Sequence, residues 1–595
     1  MKPVIDILED RITAAMAIAG GTEDSPAIVR PATDPKFGDY QANGVMALAK
    51  KLKTNPRQLA MQVVDNLDVA DICETPEIAG PGFINLRLKP DYLASQLLEI
   101  NADTSNRLAI NKTQKPKTVV VDFSSPNIAK QMHVGHLRST IIGDCICRLL
   151  EFQGHKKVIR QNHIGDWGLQ MGMVIYALEE AGWEEDIPSK DSEKPADFDL
   201  DTLERYYKKV SGLVEENPDV AEKVRKRTAE LQAGEPLAMA TWRRAVGITL
   251  DECYKLYKML GTELTQDHTH GESFYNTMLP DVVTELQKLH DTKKSDGAIC
   301  VFPNGFKNKD GEPLPFMIQK SDGAYLYATT DLAALRWRIG ALKGEKIIYV
   351  TDARQKLHFE MLFAVAQMAK WAEDIELSHV MFGSVLGVNG KPLKTRAGEN
   401  VKLKELLDEA VQRARAIVED KNPDLPDDKK AQIAKAVGIG AIKYADYSNN
   451  RTSDYVFSFD KMLAMEGNTA PYMQYAYARI KSIERKAIEK DVNRDRELKG
   501  IAKLNITEPA EIDLAKQLIR YGEAIDAAVS DYRPNYLTSY LYELAQKFSA
   551  FYTNCPVLDA PSDKRPTRLL LCDLTAKTIN HGLTNLLGID VVEQM

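Results

Sequence analysis

The alternation of apolar and polar positions divides the chain into stretches of different period. Residues 1 to 112 open and close on helical periodicity. Between them, "IAGPGFINLRL" (78–88) reads as a turn into an alternating strand, with Ile84, Leu86 and Leu88 on one face and Phe83, Asn85 and Arg87 on the other. A polar, lysine-rich connector, "NKTQKPK" (111–117), follows. "TVVVDF" (118–123) is then an uninterrupted apolar run, as a parallel strand buried on both faces requires. "SSPN" turns the chain, the spacing predicts a helix from about His133 to Phe152, and "HKKVIRQNHIGDWG" (155–168) supplies the next strand and loop, which together make a βαβ unit. A charged, helix-rich insertion spans about 180–265. Strand signals return in "AICVF" (298–302), "PFMIQKSDGAYLYATTDLAALRW" (315–337), "EKIIYVTDA" (345–353) and "HVMFGSVLG" (379–387), as the second half of a split nucleotide-binding sheet would give. Beyond 405 the pattern is helical only. There Leu537, Leu541, Leu544, Phe548 and Phe551 form one core-facing stripe.

A chain of 595 residues is too long for one hydrophobic core. The pattern shifts place domains at 1–112, 113–405 with the insertion, 406–460 and 461–595. Hydrophobic residues make up 44% and charged ones 27%, and no apolar run of about 18 residues suggests a membrane span. The start lacks the unbroken apolar core of a signal peptide. Seven cysteines are scattered without a C-x-x-C pair, which points to a reducing cytoplasm and away from a zinc site or a disulfide framework. The net charge of −8 argues against indiscriminate coating of nucleic acid, yet 479–503 holds nine Lys or Arg against five Asp or Glu, a local excess of four.

The candidate chemistry lies in "DFSSPNIAKQMHVGHLRST" (122–140). A helix N-terminus collects unpaired N–H groups and partial positive charge. His133 and His136, about one turn apart, can address one anion there, and Gly135 leaves room for a nucleotide against the backbone. Together they suit the charge that builds on an α-phosphate during nucleotidyl transfer. A guanidinium, planar and always charged, would need carboxylate acceptors. Asp122 at a strand end and Asp331 after "YATT" offer them, although Asp331 also suits a helix N-cap before "LAALRW". "PYMQYAYARIK" interleaves Tyr472, Tyr475 and Tyr477 with Arg479 and Lys481, a mixture of stacking and charge suited to single-stranded loops. Phe83 and Asn85 pair an aromatic ring with an amide on one strand face, either as a base-reading site or with Phe83 as core.

"SSPNIAKQMHVGHLRSTIIGD" resembles the H-I-G-H signature of class I aminoacyl-tRNA synthetases, in the form typical of arginyl-tRNA synthetases. Matches continue in order through "NHIGDWGLQ", "YATTDLAA", "GKPLKTRAG", "EGNTAPYMQYAYARI" and the terminal "LLGIDVVEQM". The resemblance implies an α/β, Rossmann-like parallel-sheet catalytic domain, an α+β N-terminal domain on the outer corner of the tRNA and an all-α anticodon-binding domain. It implies a cytoplasmic monomer that ligates arginine to its tRNA through arginyl-adenylate, taking ATP with Mg²⁺, having no protein metal ligands, and requiring bound tRNA for adenylation. By the same resemblance, Tyr327 and Asp331 bind the guanidinium, Asp122, Ser125, Asn127 and His136 hold the amino-acid end, and Gln355 completes the pocket. His133, Gly135 and His136 meet ATP. The second class I motif, K-M-S-K-S, falls on Pro392, Leu393, Lys394, Thr395 and Arg396, so its essential second lysine is Thr395 here. Lys130, just upstream of the histidines, is expected to replace it, with Lys394 and Arg396 as rivals. Phe83, Asn85, Tyr472, Tyr477, Arg479 and Met595 are the expected tRNA contacts. A small-molecule nucleotidylyltransferase also carries H-x-G-H, but the tRNA-reading segments at both ends argue against it.

Overall fold

The computed structural model describes residues 1–22, 24–180, 199–289, 292–394 and 400–595. They divide into two compact units, one joining Met1–Lys112 to Ala464–Leu586 and Asp590–Met595, the other comprising Thr113–Leu463 with Leu587–Ile589.

The second unit is organised by four parallel strands in the spatial order Glu376–Phe382, Lys346–Asp352, Thr118–Asp122, Lys157–Gln161. Val119, Val120 and Val121 have no exposed surface. Since successive side chains point to opposite faces, both faces of this strand are covered. The helix Val134–Gln153 follows it and comes close: a Cβ on Gly143 would stand 2.2 Å from the Phe123 ring. The next strand in sequence, Lys157–Gln161, lies on one side of Thr118–Asp122 and the much later Lys346–Asp352 on the other. The winding therefore reverses at Thr118–Asp122, and the crevice at such a reversal is where open α/β sheets bind ligands.

Two strand signals have other fates. Ala298–Val301 pairs antiparallel with Thr292–Ser295 and with Phe316–Gln319 in a separate three-stranded sheet and does not extend the parallel one. The last part of 315–337 belongs to the helix Tyr327–Gly340, because its alanines and leucines are helix formers without a period of two. Beyond 405 the chain is not purely helical, as Tyr455–Val456 pairs in parallel with Val385–Leu386; two residues are too few to show a period. The insertion comprises the helices Leu200–Glu216, Pro218–Gln232 and Pro236–Leu260, while 181–198 lies outside the described residues.

In the first unit the antiparallel sheet runs Val29–Pro31, Tyr40–Ala42, Phe83–Leu86, Glu77–Ala79. Ile84, Leu86 and Leu88 are buried. This sheet is tied to the C-terminal helices: the Tyr40 hydroxyl donates to Glu523 Oε1 (2.6 Å), and Lys516 Nζ lies 2.7 Å from Asp39 Oδ1. Among the described residues no helix is long and apolar enough to cross a membrane. On the helix Pro534–Asn554, Leu537, Leu541, Leu544, Phe548 and Phe551 are all buried, as their spacing predicts. Phe548→Ala is expected to destabilise this unit by about 3–5 kcal/mol through lost burial and the cavity left behind. Chemical denaturation checks this, and a loss under about 1 kcal/mol would place the centre of the core elsewhere.

Candidate active site

At the sheet's switch point the chain leaves Thr118–Asp122 and enters the helix Val134–Gln153. His133 is the N-cap of that helix. Its Nδ1 accepts the Gly135 N–H (3.0 Å), and His136 Nδ1 accepts the His133 N–H (3.1 Å). Two histidines thus form the reciprocal cap that Ser or Thr with Glu or Gln commonly make. An accepting Nδ1 bears no proton, so the proton of each neutral ring sits on Nε2. Both rings are held neutral. Burial, then the charges of Lys130 and Arg354, lower the His133 pKa; burial, then His133 and Lys130, push His136 down to about 3. With ring centroids 4.0 Å apart, the pair offers two Nε2–H donors at the positive end of the helix dipole, an anion-binding arrangement that carries no full charge of its own. Lys130 supplies one nearby charge. It is half-buried, and its Nζ sits 5.1 Å from the centre of the Tyr207 ring of the insertion.

The segment that follows the second motif returns to this cap. Lys394 is exposed and bridges Asn400. Lys402 then bridges His133, the Val134 N–H donates to Val401 O (3.2 Å), and the Leu403 N–H donates to Met132 O (2.8 Å). Thr395 and Arg396 lie outside the described residues.

A second, acidic group of side chains lies on the helix Tyr327–Gly340. Tyr327 and Asp331, one turn apart, share a face. Tyr327 is 65% exposed. The N-cap is Leu326, so Asp331 lies inside the helix and does not cap it. Its Oδ2 is 2.6 Å from His358 Nε2, and the His358 ring is 5.1 Å from that of Tyr327. Beside Tyr327 a cavity of about 420 Å³ is lined by Trp167, Glu272, Tyr325 and Thr330 among others. Burial, then the nearby Asp166 and Asp331, push the Glu272 carboxyl up to about 7. Gln355 is exposed at the end of the turn Ala353–Gln355, just past the strand Lys346–Asp352. Asn127 is exposed and Ser125 half-buried. A Cβ on Gly165 would stand 2.2 Å from Asn127 Oδ1, so "HIGDWG" needs its first glycine for close approach.

Asp122 is not a free carboxylate. Its Oδ2 lies 2.9 Å from Arg338 Nη1, with side-chain exposures of 8% and 0%. Burial works against the Arg338 charge, but Asp122, Tyr349 and Tyr275 more than offset it and hold the guanidinium protonated. Asp122 Oδ1 is buried with no hydrogen-bond partner among the described residues. Arg338, His358 and Glu272 are site residues that the sequence reading missed. His358 stands three residues after Gln355 in "RQKLH", and Arg338 is a charge on the apolar side of "LAALRWR", so each had a faint signal.

The expected tRNA contacts fall in the first unit. Phe83 is half-buried, while Asn85 is buried with its Oδ1 accepting from Gln41 Nε2 (2.8 Å). Tyr472 is half-buried and edge-on to Tyr542. Tyr477 is only 8% exposed, so it packs in the core of the unit and offers little ring face to a base. Arg479 Nη2 donates to the Tyr475 hydroxyl (2.7 Å), with its guanidinium 4.7 Å from the Tyr475 ring centre and 5.5 Å from that of Tyr552. Met595 is half-buried.

Residues 99–459 match the family model for the class I (R) tRNA synthetase catalytic domain, residues 6–88 that for the arginyl tRNA synthetase N terminal domain, and residues 473–595 that for the DALR anticodon binding domain. A parallel sheet with a histidine-capped helix at its switch point, set in this domain series, makes the chain a class I tRNA synthetase. Within that class it belongs to the family of arginine–tRNA ligases. It is 50% identical over 597 residues to the arginine–tRNA ligase of a Synechococcus species and 46% identical over 590 residues to that of Hahella chejuensis, covering 99% of each chain in both cases. Its fold matches the arginyl-tRNA synthetase of Plasmodium falciparum (TM-score 0.84, 30% identity) and that of Thermus thermophilus (0.78, 26%), each over 100% of both chains.

The neutral histidine pair has a pH signature. The unfolded imidazole titrates near 6.5 and the folded His136 near 3, so the unfolded state binds more protons between these values. The stabilisation is intact above about pH 6.5 and is lost as pH falls towards 3. The ring NMR shifts of His136 are expected to stay flat from pH 8 to 5; a midpoint near 6.5 in the folded protein would remove the neutral-donor assignment.

Proposed function

We infer that the protein ligates arginine to its tRNA in two steps. The arginine carboxylate attacks the α-phosphorus of ATP, giving arginyl-adenylate and pyrophosphate. A hydroxyl of the tRNA terminal ribose then attacks the arginyl carbonyl carbon, and AMP leaves. The observation that carries this reading is the presence in one unit of the neutral histidine cap at the switch point and the Tyr327–Asp331 face, one suited to phosphate and the other to a guanidinium.

In this reading Tyr327 and Asp331 take the guanidinium. Ser125, Asn127, His136, Gln355 and the free Oδ1 of Asp122 hold the α-ammonium and carboxylate. His133, Gly135 and His136 meet the α-phosphate, where donors that need not lose a proton can stabilise charge as it builds. Lys130 takes the place of the missing motif lysine, with Lys394 and Arg396 as its rivals for the remaining phosphates, which arrive with Mg²⁺. Lysine is excluded because its point charge cannot pair bidentately with a carboxylate, and a buried acceptor left unpaired is costly. That asymmetry dispenses with a separate editing step. Phe83, Tyr472, Arg479 and Met595 are the proposed contacts to tRNA, and bound tRNA is required to complete the adenylation site. A monomer meets all of these demands.

ATP–pyrophosphate exchange with arginine, lysine or citrulline, with and without the arginine tRNA, tests this reading. Exchange with arginine alone, and only when tRNA is present, is expected. Exchange without tRNA would discard the tRNA requirement but leave the ligase. Lys130→Ala is expected to slow adenylation by about 10²–10³-fold, the loss typical of one preorganised charge partner. A near-normal rate would return the role to Lys394 or Arg396.

A further inference from the structure

The loop that carries Ser125, Asn127 and Lys130 is strained at three non-glycine residues. Ser124 (φ 75°), Ser125 (φ 51°) and Ala129 (φ 61°) lie in the left-handed region, which residues bearing a Cβ adopt only when their surroundings impose it. Each of the three N–H groups is taken by a side chain from elsewhere in the unit. The Ser124 N–H donates to Ser139 Oγ (2.9 Å), the Ser125 N–H to Asn162 Oδ1 (3.0 Å) and the Ala129 N–H to Thr249 Oγ1 (3.1 Å).

Two of these three restraints depend on one element, the helix Pro236–Leu260 of the insertion. Thr249 acts directly, and its own hydroxyl proton goes back to Ala245 O (2.9 Å), which leaves the oxygen lone pairs for Ala129. Tyr257 acts through its hydroxyl, which accepts from Asn162 Nδ2 (3.3 Å) and lies 2.7 Å from Ser124 Oγ. Ser124 Oγ also meets the Thr140 hydroxyl (2.9 Å), whose single proton goes to the carbonyl of His136 (2.7 Å), so Ser124 donates to Thr140 and Tyr257 donates to Ser124. A continuous chain of hydrogen bonds thus runs from the insertion through the loop to the histidine cap. Thr249 and Tyr257 are fully buried or nearly so. Simple packing of this helix would need neither hydroxyl, since Val and Phe fill the same space.

We propose that Tyr257 and Thr249 are positioning residues for adenylation: they act as a clamp by which the insertion holds Ser125 and Asn127 in the geometry that grips the amino-acid end of arginine. The proposal rests on the arginine site described under the proposed function. Without the clamp the loop relaxes towards ordinary backbone angles, and Ser125 and Asn127 leave their places while the acidic side chains for the guanidinium stay fixed.

Aminoacylation kinetics of the full-length enzyme, with tRNA saturating, test it in Tyr257→Phe, Thr249→Val and Thr249→Ser. The first two are expected to raise KM for arginine by about tenfold, the scale of one lost buried hydrogen bond, with KM for ATP and the melting temperature little changed. Thr249→Ser, which keeps the acceptor oxygen, is expected to restore KM. Asn127→Ala, measured alongside, separates the two readings. An unchanged KM for arginine in Asn127→Ala would overturn the arginine site itself. A raised KM there with unchanged values in Tyr257→Phe and Thr249→Val would overturn the clamp alone. A lower melting temperature without any change in KM would likewise reduce both residues to packing.

Discussion

The site depends on the N-terminus of the helix Val134–Gln153, where the backbone N–H groups that lack helical partners are taken by the two histidines and by the Val401 carbonyl. Here the cap consists of two imidazoles whose Nδ1 atoms are used on the helix's own backbone, and that use leaves the Nε2–H groups as their donors. Because burial and nearby positive charges keep both rings neutral, the cap presents dipoles that need not reorganise, and the full charges around it come from side chains outside the helix.

The acidic side chains pose the opposite problem, since buried carboxylates resist ionisation unless they are paired. Asp122 is paired with the internal guanidinium of Arg338, and Asp331 with His358. Glu272, which has no cationic partner among the described residues and lies near two other acids, is pushed up to about 7. A site for a cationic substrate thus holds, in the free protein, one carboxylate on an internal guanidinium and another on an imidazole. Removing one member of a buried pair such as Asp122–Arg338 is more damaging than the pair's net worth suggests, because the survivor is left buried and unpaired.

Between these two groups runs a loop that could not keep its shape alone. Its three left-handed residues are each held from outside, and two of the three restraints involve the long helix of an insertion that follows more than a hundred residues later in the chain. The insertion is therefore part of the catalytic architecture as well as a decoration of it.

Much of this was legible in the sequence, for physical reasons. The unbroken run of valines at 119–121 could only be a doubly covered strand, the four-three spacing of Leu537 to Phe551 could only be a helix stripe, and H-x-G-H after a strand and a turn marked a helix N-terminus. Local period and local capping chemistry decide such features. What the sequence left open depends on contacts between distant segments. It did not show that Asp122 would meet Arg338, that Asn85 and Tyr477 would be buried, that Asp331 would sit inside a helix, or that Thr249 and Tyr257 would close on the loop at 124–129. A periodic pattern says which face of an element is apolar; it does not say which partner arrives there, and burial, ion pairing and backbone strain are fixed by that partner.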